Sequence, residues 1–146
     1  MNPRYSSKYL DGLISSDTHR ALVQISSLLC ACDRFSKSER DYALPQSLFV
    51  LVETLAWEAQ SWRSGAWTYY EATPLERQDA MQGALEAIAP LPLAHCYAKG
   101  RRIWRDERAI RAVDDWIKSH QHEVIGWLQS LMRANRATIG KLVRGE

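Results

Sequence analysis

Four carboxylates in this sequence could in principle carry out acid–base chemistry. Glu53 and Glu58 lie in one apolar stretch, and Asp114 and Asp115 are adjacent further along the chain. A general acid and a general base must face the same reacting group. On a helix the two glutamates are offset by about 140° and the two aspartates by about 100°. This spacing does not favour a paired-carboxylate site, so an enzyme is the weakest hypothesis for the sequence.

The thiols and imidazoles offer two possible metal-ligand pairs. One residue separates Cys30 from Cys32, and one separates His120 from His122, which Glu123 follows. Residues two apart on a helix point about 200° away from each other, so the two cysteines cannot hold one ion together, and the histidine pair can do so only if it lies in a loop. The sequence contains no phosphate-binding loop, dinucleotide fingerprint, nucleophile elbow or zinc-protease motif. We therefore predict no metal site, no cofactor and no catalytic residue.

Aromatic side chains concentrate in residues 57–70, on both sides of Gly65. Tryptophan, tyrosine and arginine often anchor protein–protein interfaces, because they bury large areas at low entropic cost. Alternatively the rings fill junctions between helices, which the sequence favours for Trp57 and Trp62. The rings beyond Gly65 are expected on a turn, and loops often carry function. The predicted partner-binding residues, at least partly exposed, are Arg63, Trp67, Tyr69 and Tyr70.

Basic residues concentrate between positions 99 and 111, with a tryptophan among them. Such a segment could follow a phosphate backbone. The i, i+4 spacing of Glu107–Arg111, Arg111–Asp115 and Asp114–Lys118 instead favours a solvated helix face with ion pairs worth only ~0.2–0.5 kcal/mol each. If the segment does bind nucleic acid, the candidate residues are Lys99, Arg101, Arg102, Arg105 and Arg108.

One long apolar stretch must position these side chains. The sequence predicts a central helix at about residues 46–63, with Pro45 suited to its first turn. A core-facing stripe recurs at helical spacing, and the opposite face is also largely apolar. The fold is therefore expected to be all-α, a single compact bundle of about five to six helices around this helix. The residues of the stripe are Leu48, Leu51, Val52, Leu55, Ala59 and Trp62.

The remaining elements follow from local signals. Thr73, Pro74 and Glu76 have the spacing of a capping box, which predicts that a helix begins there. We expect one domain over residues 1–146. Both ends, residues 1–16 and 137–146, are predicted to be loosely ordered, although either could form or extend a short helix. No segment has the alternating pattern of a strand.

Length and composition limit the classes of function. A chain of 146 residues can bury a sizeable core, so it needs no disulfide or metal for stability. Its formal charge of +2 favours neither a strong nucleic-acid binder nor an acidic mimic of one. Three cysteines argue against a secreted disulfide framework. Without an apolar signal segment or a run of membrane-spanning length, the chain is predicted to be cytoplasmic and to have no membrane contact.

The central region contains LVETLAWE at 51–58, SGAW at 64–67, a tyrosine pair at 69–70 and ALEAI at 84–88. With these motifs, about residues 48–98 resemble a bacterial DNA-mimic-protein-like family of small helical proteins, mostly of unknown function. The resemblance implies an all-α fold and a role executed through protein–protein contact. DNA mimicry itself needs a strongly anionic surface, and this chain is slightly cationic.

Two functions are therefore open. We predict a small cytoplasmic bacterial protein-binding module, an inhibitor or immunity protein that blocks a partner such as a toxin or a regulator. Analogy with small bacterial proteins of similar appearance supports this class. The alternative is a nucleic-acid-binding protein that uses the basic segment, and steep salt dependence would be its mark.

Overall fold

The computed structural model describes residues 6–146, and every regular element in that range is an α-helix. The all-α prediction is thus confirmed. There are more helices than the predicted five to six, because three short segments also become helical. The helices of the described range are α1 (Ser7–Ser15), α2 (His19–Cys30), α3 (Gln46–Ser64), α4 (Ala66–Ala72), α5 (Leu75–Ile88), α6 (Leu91–Ile103), α7 (Arg111–Ser119), α8 (Gln121–Ala134) and α9 (Arg136–Arg144).

Tertiary contacts divide the chain into two compact units. The first comprises residues up to Val52 together with Ile125–Glu146, and the second comprises Glu53–Val124. The expected single domain over residues 1–146 stays a prediction. Within residues 6–146, no helix combines the length and apolar character that crossing a membrane requires.

Both ends of the first unit are more regular than the sequence predicts. Helix α1 packs against α2 and α9, and α9 also packs against α2. Leu10 and Ile14 of α1 and Ile139 of α9 are buried, and these apolar contacts explain why two nine-residue helices persist. At both ends the structure has the short helix that the sequence leaves open as the alternative to loose order. Residues 1–5 lie outside the described range.

The predicted central helix is confirmed as α3, which ends one residue later than expected. Every residue from 48 to 55 is buried, as expected for a helix that is apolar on several faces. Beyond that point the predicted stripe is wrong, because Ala59 and Trp62 are exposed. The buried side passes instead to Trp57, Glu58 and Ser61. On this side of the helix, Trp57 Nε1 donates to the Tyr70 hydroxyl and the Ser61 hydroxyl donates to the Trp57 carbonyl.

The second unit folds back on itself at Gly65. This glycine has a φ of +94°, which side chains rarely adopt, and it separates α3 from α4. Helix α4 then packs against α6 and α7, while α5 packs against α6. A carboxylate oxygen of Asp114 accepts a hydrogen bond from the backbone N–H of Ala66 at 2.8 Å. This contact satisfies a free donor at the beginning of α4.

The capping box predicted at residues 73–76 does not form. The N-cap of α5 is Pro74, which has no side-chain cap hydrogen bond, and the helix begins at Leu75. Thr73 is the C-cap of α4, and its N–H donates to the Tyr69 carbonyl at 2.9 Å. Its carbonyl accepts from Gln78 Nε2 at 2.9 Å. Because α4 ends directly before α5, Thr73 completes the earlier helix.

Candidate functional site

The predicted partner-binding residues divide between surface and core. Trp67 is 43% exposed and Arg63 is also exposed, as predicted. Tyr69 and Tyr70 are only 4% and 2% exposed, so their assignment as surface anchors is wrong. The reason is that residues 66–72 form a helix and not a turn. On that helix Ala66, Tyr69 and Tyr70 share one buried face, while Trp67 lies on the other side.

The buried face of α4 carries a hydrogen-bonded cluster. The Tyr69 hydroxyl donates to Glu53 Oε2 at 2.5 Å and is 2.8 Å from the Tyr97 hydroxyl. The Tyr70 hydroxyl accepts from Trp57 Nε1 and donates to the Tyr97 carbonyl, both at 3.0 Å. Burial, followed by the proximity of Tyr97, raises the pKa of both Tyr69 and Tyr70 well above 10. These hydroxyls therefore stay protonated and can donate to their buried partners.

Sequence reasoning finds only part of this cluster. The one-turn spacing of Glu53 and Trp57 places them on one face of α3, but no local signal connects them to Tyr97. Gln78 is a further missed member, since its Nε2 donates to the Tyr70 and Thr73 carbonyls, each at 2.9 Å. Gln78, which belongs to α5, thus holds the C-terminal end of α4 in place.

A surface groove of about 650 Å³ lies beside Trp67. We call it the Trp67 groove. Its wall combines two tryptophans with charged residues of both signs, and only Ile110 among its residues is a buried apolar side chain. The lining residues are Gly65, Trp67, Glu71, Trp104, Arg105, Glu107, Ile110, Arg111 and Asp114.

A second groove of about 810 Å³ shares Glu71, Trp104 and Arg105 with the first. We call it the Arg102 groove. Its charged lining is mainly basic, and its remaining surface is amide, hydroxyl and apolar. The lining residues are Tyr70, Glu71, Thr73, Pro74, Leu75, Gln78, Gln82, Ala98, Arg101, Arg102, Trp104 and Arg105.

The basic segment is not one uniform cationic surface. Lys99, Arg102, Arg105 and Arg108 are exposed, as a binding role would require. The Arg101 side chain is only 19% exposed and hydrogen-bonds Gln82 at 2.7 Å and Asp79 at 2.5 Å. These bonds join α6 to α5, and the assignment of Arg101 as a nucleic-acid contact stays a prediction.

The expected ion pair between Asp114 and Lys118 is replaced by other contacts. Asp114 caps α4, as described above. The Lys118 ammonium lies 5.5 Å from the centre of the Trp62 ring, a cation–π distance. Helix α7 therefore contacts α4 through Asp114 and α3 through Lys118.

Of the four candidate acid–base residues, the two glutamates are inaccessible, whereas Asp114 lines the Trp67 groove and Asp115 is exposed. Glu53 and Glu58 are 1% and 3% exposed, and neither lines the Trp67 groove or the Arg102 groove. Glu58 accepts a hydrogen bond from Gln121 at 3.4 Å. In residues 6–146, no group of three His, Cys, Asp or Glu side chains is placed to hold a metal ion. Burial raises the pKa of the Cys96 thiol to about 12, so this cysteine is a poor nucleophile.

Comparison with protein-family models, with curated proteins and with solved structures finds no match for this chain.

Proposed function

We propose that this chain is a bacterial, cytoplasmic protein-binding module of the inhibitor or immunity type. Its partner would be another protein, such as a toxin or a regulator, and the Trp67 groove would be the contact surface. The observation that supports the proposal most is the exposed Trp67 side chain, which projects from a helix whose opposite face is fixed by buried hydrogen bonds.

Rigidity of the underlying helix favours binding by this side chain. Association costs conformational freedom, and less is lost when the anchor is already held in place. Ala66 and Tyr69, on either side of Trp67, are bonded to Asp114 and Glu53. Trp67 also faces a groove that contains Trp104 and Arg105, residue types enriched at the centres of interfaces.

Nucleic-acid binding has less support. One of the five candidate residues, Arg101, is already bonded to Gln82 and Asp79 of α5. The Trp67 groove also contains Glu71, Glu107 and Asp114, which would repel phosphates.

The test is partner capture with Trp67→Ala. A tagged chain would be used to isolate a partner from a lysate of the source organism, and the affinity of the purified pair would then be measured by calorimetry. Removing a true anchor should weaken binding by at least ~2 kcal/mol. The fold should be unaffected, because the ring is exposed and the buried cluster remains.

Leu91→Ala is the matched control. Leu91 is also a large exposed apolar residue of the second unit, but it lines neither groove. We expect this variant to bind like the wild type. Equal affinity of the Trp67→Ala variant and the wild type would contradict the proposal, as would unfolding of the Trp67→Ala variant.

A further inference from the structure

The mainly basic lining of the Arg102 groove indicates which kind of partner segment could bind there. It is lined by three guanidinium groups and one carboxylate, Glu71. The guanidinium of Arg101 is already paired with Asp79. Within residues 6–146, neither Arg102 nor Arg105 has a carboxylate oxygen within 4.0 Å. The groove therefore has two exposed cations whose charge is not neutralised by a close ion pair.

The other two arginines of the groove, Arg101 and Arg105, are held against neighbouring side chains. The guanidinium of Arg105 lies 4.5 Å from the centre of the Trp104 ring, where stacking limits its freedom. Arg102 follows Arg101, which is tied to α5 by bonds to Gln82 and Asp79. Arginine in such a setting suits carboxylates, which accept two parallel hydrogen bonds from one guanidinium.

The rest of the wall is apolar as well as polar. Leu75 is 72% exposed and lines the groove, together with Pro74 and Ala98. A ligand that matches the whole groove must present carboxylates to the arginines and apolar side chains to Leu75, Pro74 and Ala98. A protein segment can do this, because its residues alternate in character.

A phosphate backbone fits less well. It carries regularly spaced negative charge, which Glu71 in this groove and Glu107 and Asp114 in the adjoining Trp67 groove would repel. A peptide can place a carboxylate at Arg102 and a neutral or basic residue near these acidic groups. The mixed charge of the two adjoining grooves therefore favours a protein partner.

We infer that the Arg102 groove receives an acidic segment of the partner protein, in which Asp or Glu residues alternate with apolar ones. This inference rests on the proposed function and specifies the chemistry of the partner. In the complex, the partner's carboxylates would bind Arg102 and Arg105, and the partner's apolar side chains would pack against Leu75 and Trp104.

A displayed library of random peptides tests the inference without knowledge of the partner. Peptides would be selected on the full chain and counter-selected on the double variant Arg102→Gln/Arg105→Gln. The enriched peptides should be rich in Asp and Glu with interspersed apolar residues. They should bind the double variant at least about tenfold more weakly than the wild type.

Arg108→Gln is the matched control, because Arg108 is an exposed arginine of the same segment that lines neither groove. Its affinity should stay within about twofold of the wild type, since a charge outside the contact acts only through long-range attraction. Enriched peptides without an acidic bias, or an equal loss with Arg108→Gln, would overturn the inference. Displacement of the peptides by a single-stranded DNA oligonucleotide that binds more tightly would also overturn it, in favour of nucleic acid.

The two proposals fail in distinguishable ways. If Trp67→Ala abolishes capture of the natural partner while the double arginine variant captures it normally, the acidic segment is wrong and the protein-binding function stands. If the arginine variant loses the partner and Trp67→Ala does not, the acidic segment stands and the proposed anchor is wrong.

Discussion

Tyr69 donates a hydrogen bond to a carboxylate that is almost completely shielded from water. A buried charge without donors is costly, and hydrogen bonds to charged groups are worth about 1.5–3 kcal/mol each. Tyr97 also contacts the Tyr69 hydroxyl, so one oxygen links α3, α4 and α6. This side chain, predicted as a surface anchor, contributes instead to the specificity of the core.

We expect Tyr69→Phe to lower the free energy of unfolding by about 1.5–3 kcal/mol, because it removes a donor to Glu53 without removing the ring. Urea denaturation would measure the change. The control is a double-mutant cycle with Glu53→Gln, which isolates the energy of the Tyr69–Glu53 pair. Strictly additive effects of the two substitutions would show that the hydroxyl does not stabilise the carboxylate.

Alkaline pH should destabilise the fold. Burial raises the pKa of Cys96 to about 12 and raises those of Tyr69 and Tyr70. Each group keeps its proton in the folded chain after the unfolded chain has lost it, so stability is complete below the unfolded pKa and falls as pH rises. The loss should begin near pH 9.0 and reach about 1.4 kcal/mol per pH unit for each group.

Denaturation in urea at a series of pH values would check this dependence. Cys96→Ala is the control, since it removes the group that begins to titrate first. The variant should lose less stability than the wild type between pH 9.0 and pH 10.0. Identical pH profiles of the two chains would contradict the assignment of the buried thiol.

Among the elements, α4 depends on a close approach of α6. A Cβ atom added at Gly100 would overlap the ring and hydroxyl of Tyr70. Helix propensity alone would make Gly100→Ala stabilising by about 1 kcal/mol. Overpacking of a tight core costs about 1–3 kcal/mol, and the ring cannot move without breaking its bonds to Trp57 and Tyr97. We therefore expect a net loss of stability, measurable by thermal unfolding.

Gly83→Ala is the matched control within α5. Nothing lies within 4 Å of the position that its Cβ would occupy, so only the propensity term remains. That variant should gain about 0.5–1 kcal/mol. If both glycine variants are stabilised, the contact between α4 and α6 is looser than the structure describes.

The predictability of the elements follows from their length. Helix α3 is found from the sequence because its apolar residues recur over many turns. Helix α4 has only seven residues after a glycine with positive φ, so its i, i+3, i+4 pattern is too short to separate from a turn. Missing α4 explains the error at Tyr69 and Tyr70. The exposure of Trp62 depends on where α4 folds back, which no pattern within α3 encodes.

At the scale of the whole molecule, net charge distinguishes the protein-binding proposal from the nucleic-acid alternative. The formal charge of +2 provides little attraction for a polyanion, and the Trp67 groove contains three carboxylates as well as two arginines. We expect duplex and single-stranded DNA to bind more weakly than the ~10⁻⁴–10⁻⁶ M typical of non-specific binding at physiological salt. Fluorescence anisotropy over a range of salt concentrations would measure this.

The salt dependence provides the control for that measurement. A protein that neutralises several phosphates shows a steep decline of log K with log salt concentration, and each lost contact reduces the slope by about one. We expect any residual DNA binding to have a shallow slope that Arg108→Gln does not change. A steep slope reduced by Arg102→Gln would favour the nucleic-acid alternative.

The contact between Gly100 and Tyr70 also provides a way to recognise distant relatives of this chain. A sequence that keeps an aromatic residue at the position of Tyr70 must keep glycine at the position of Gly100, because even one methyl group overlaps the ring. With a smaller residue at position 70 this steric constraint is absent, and alanine fits at position 100. The two positions should therefore change together during evolution. Their joint pattern could identify homologues whose overall similarity has decayed below detection.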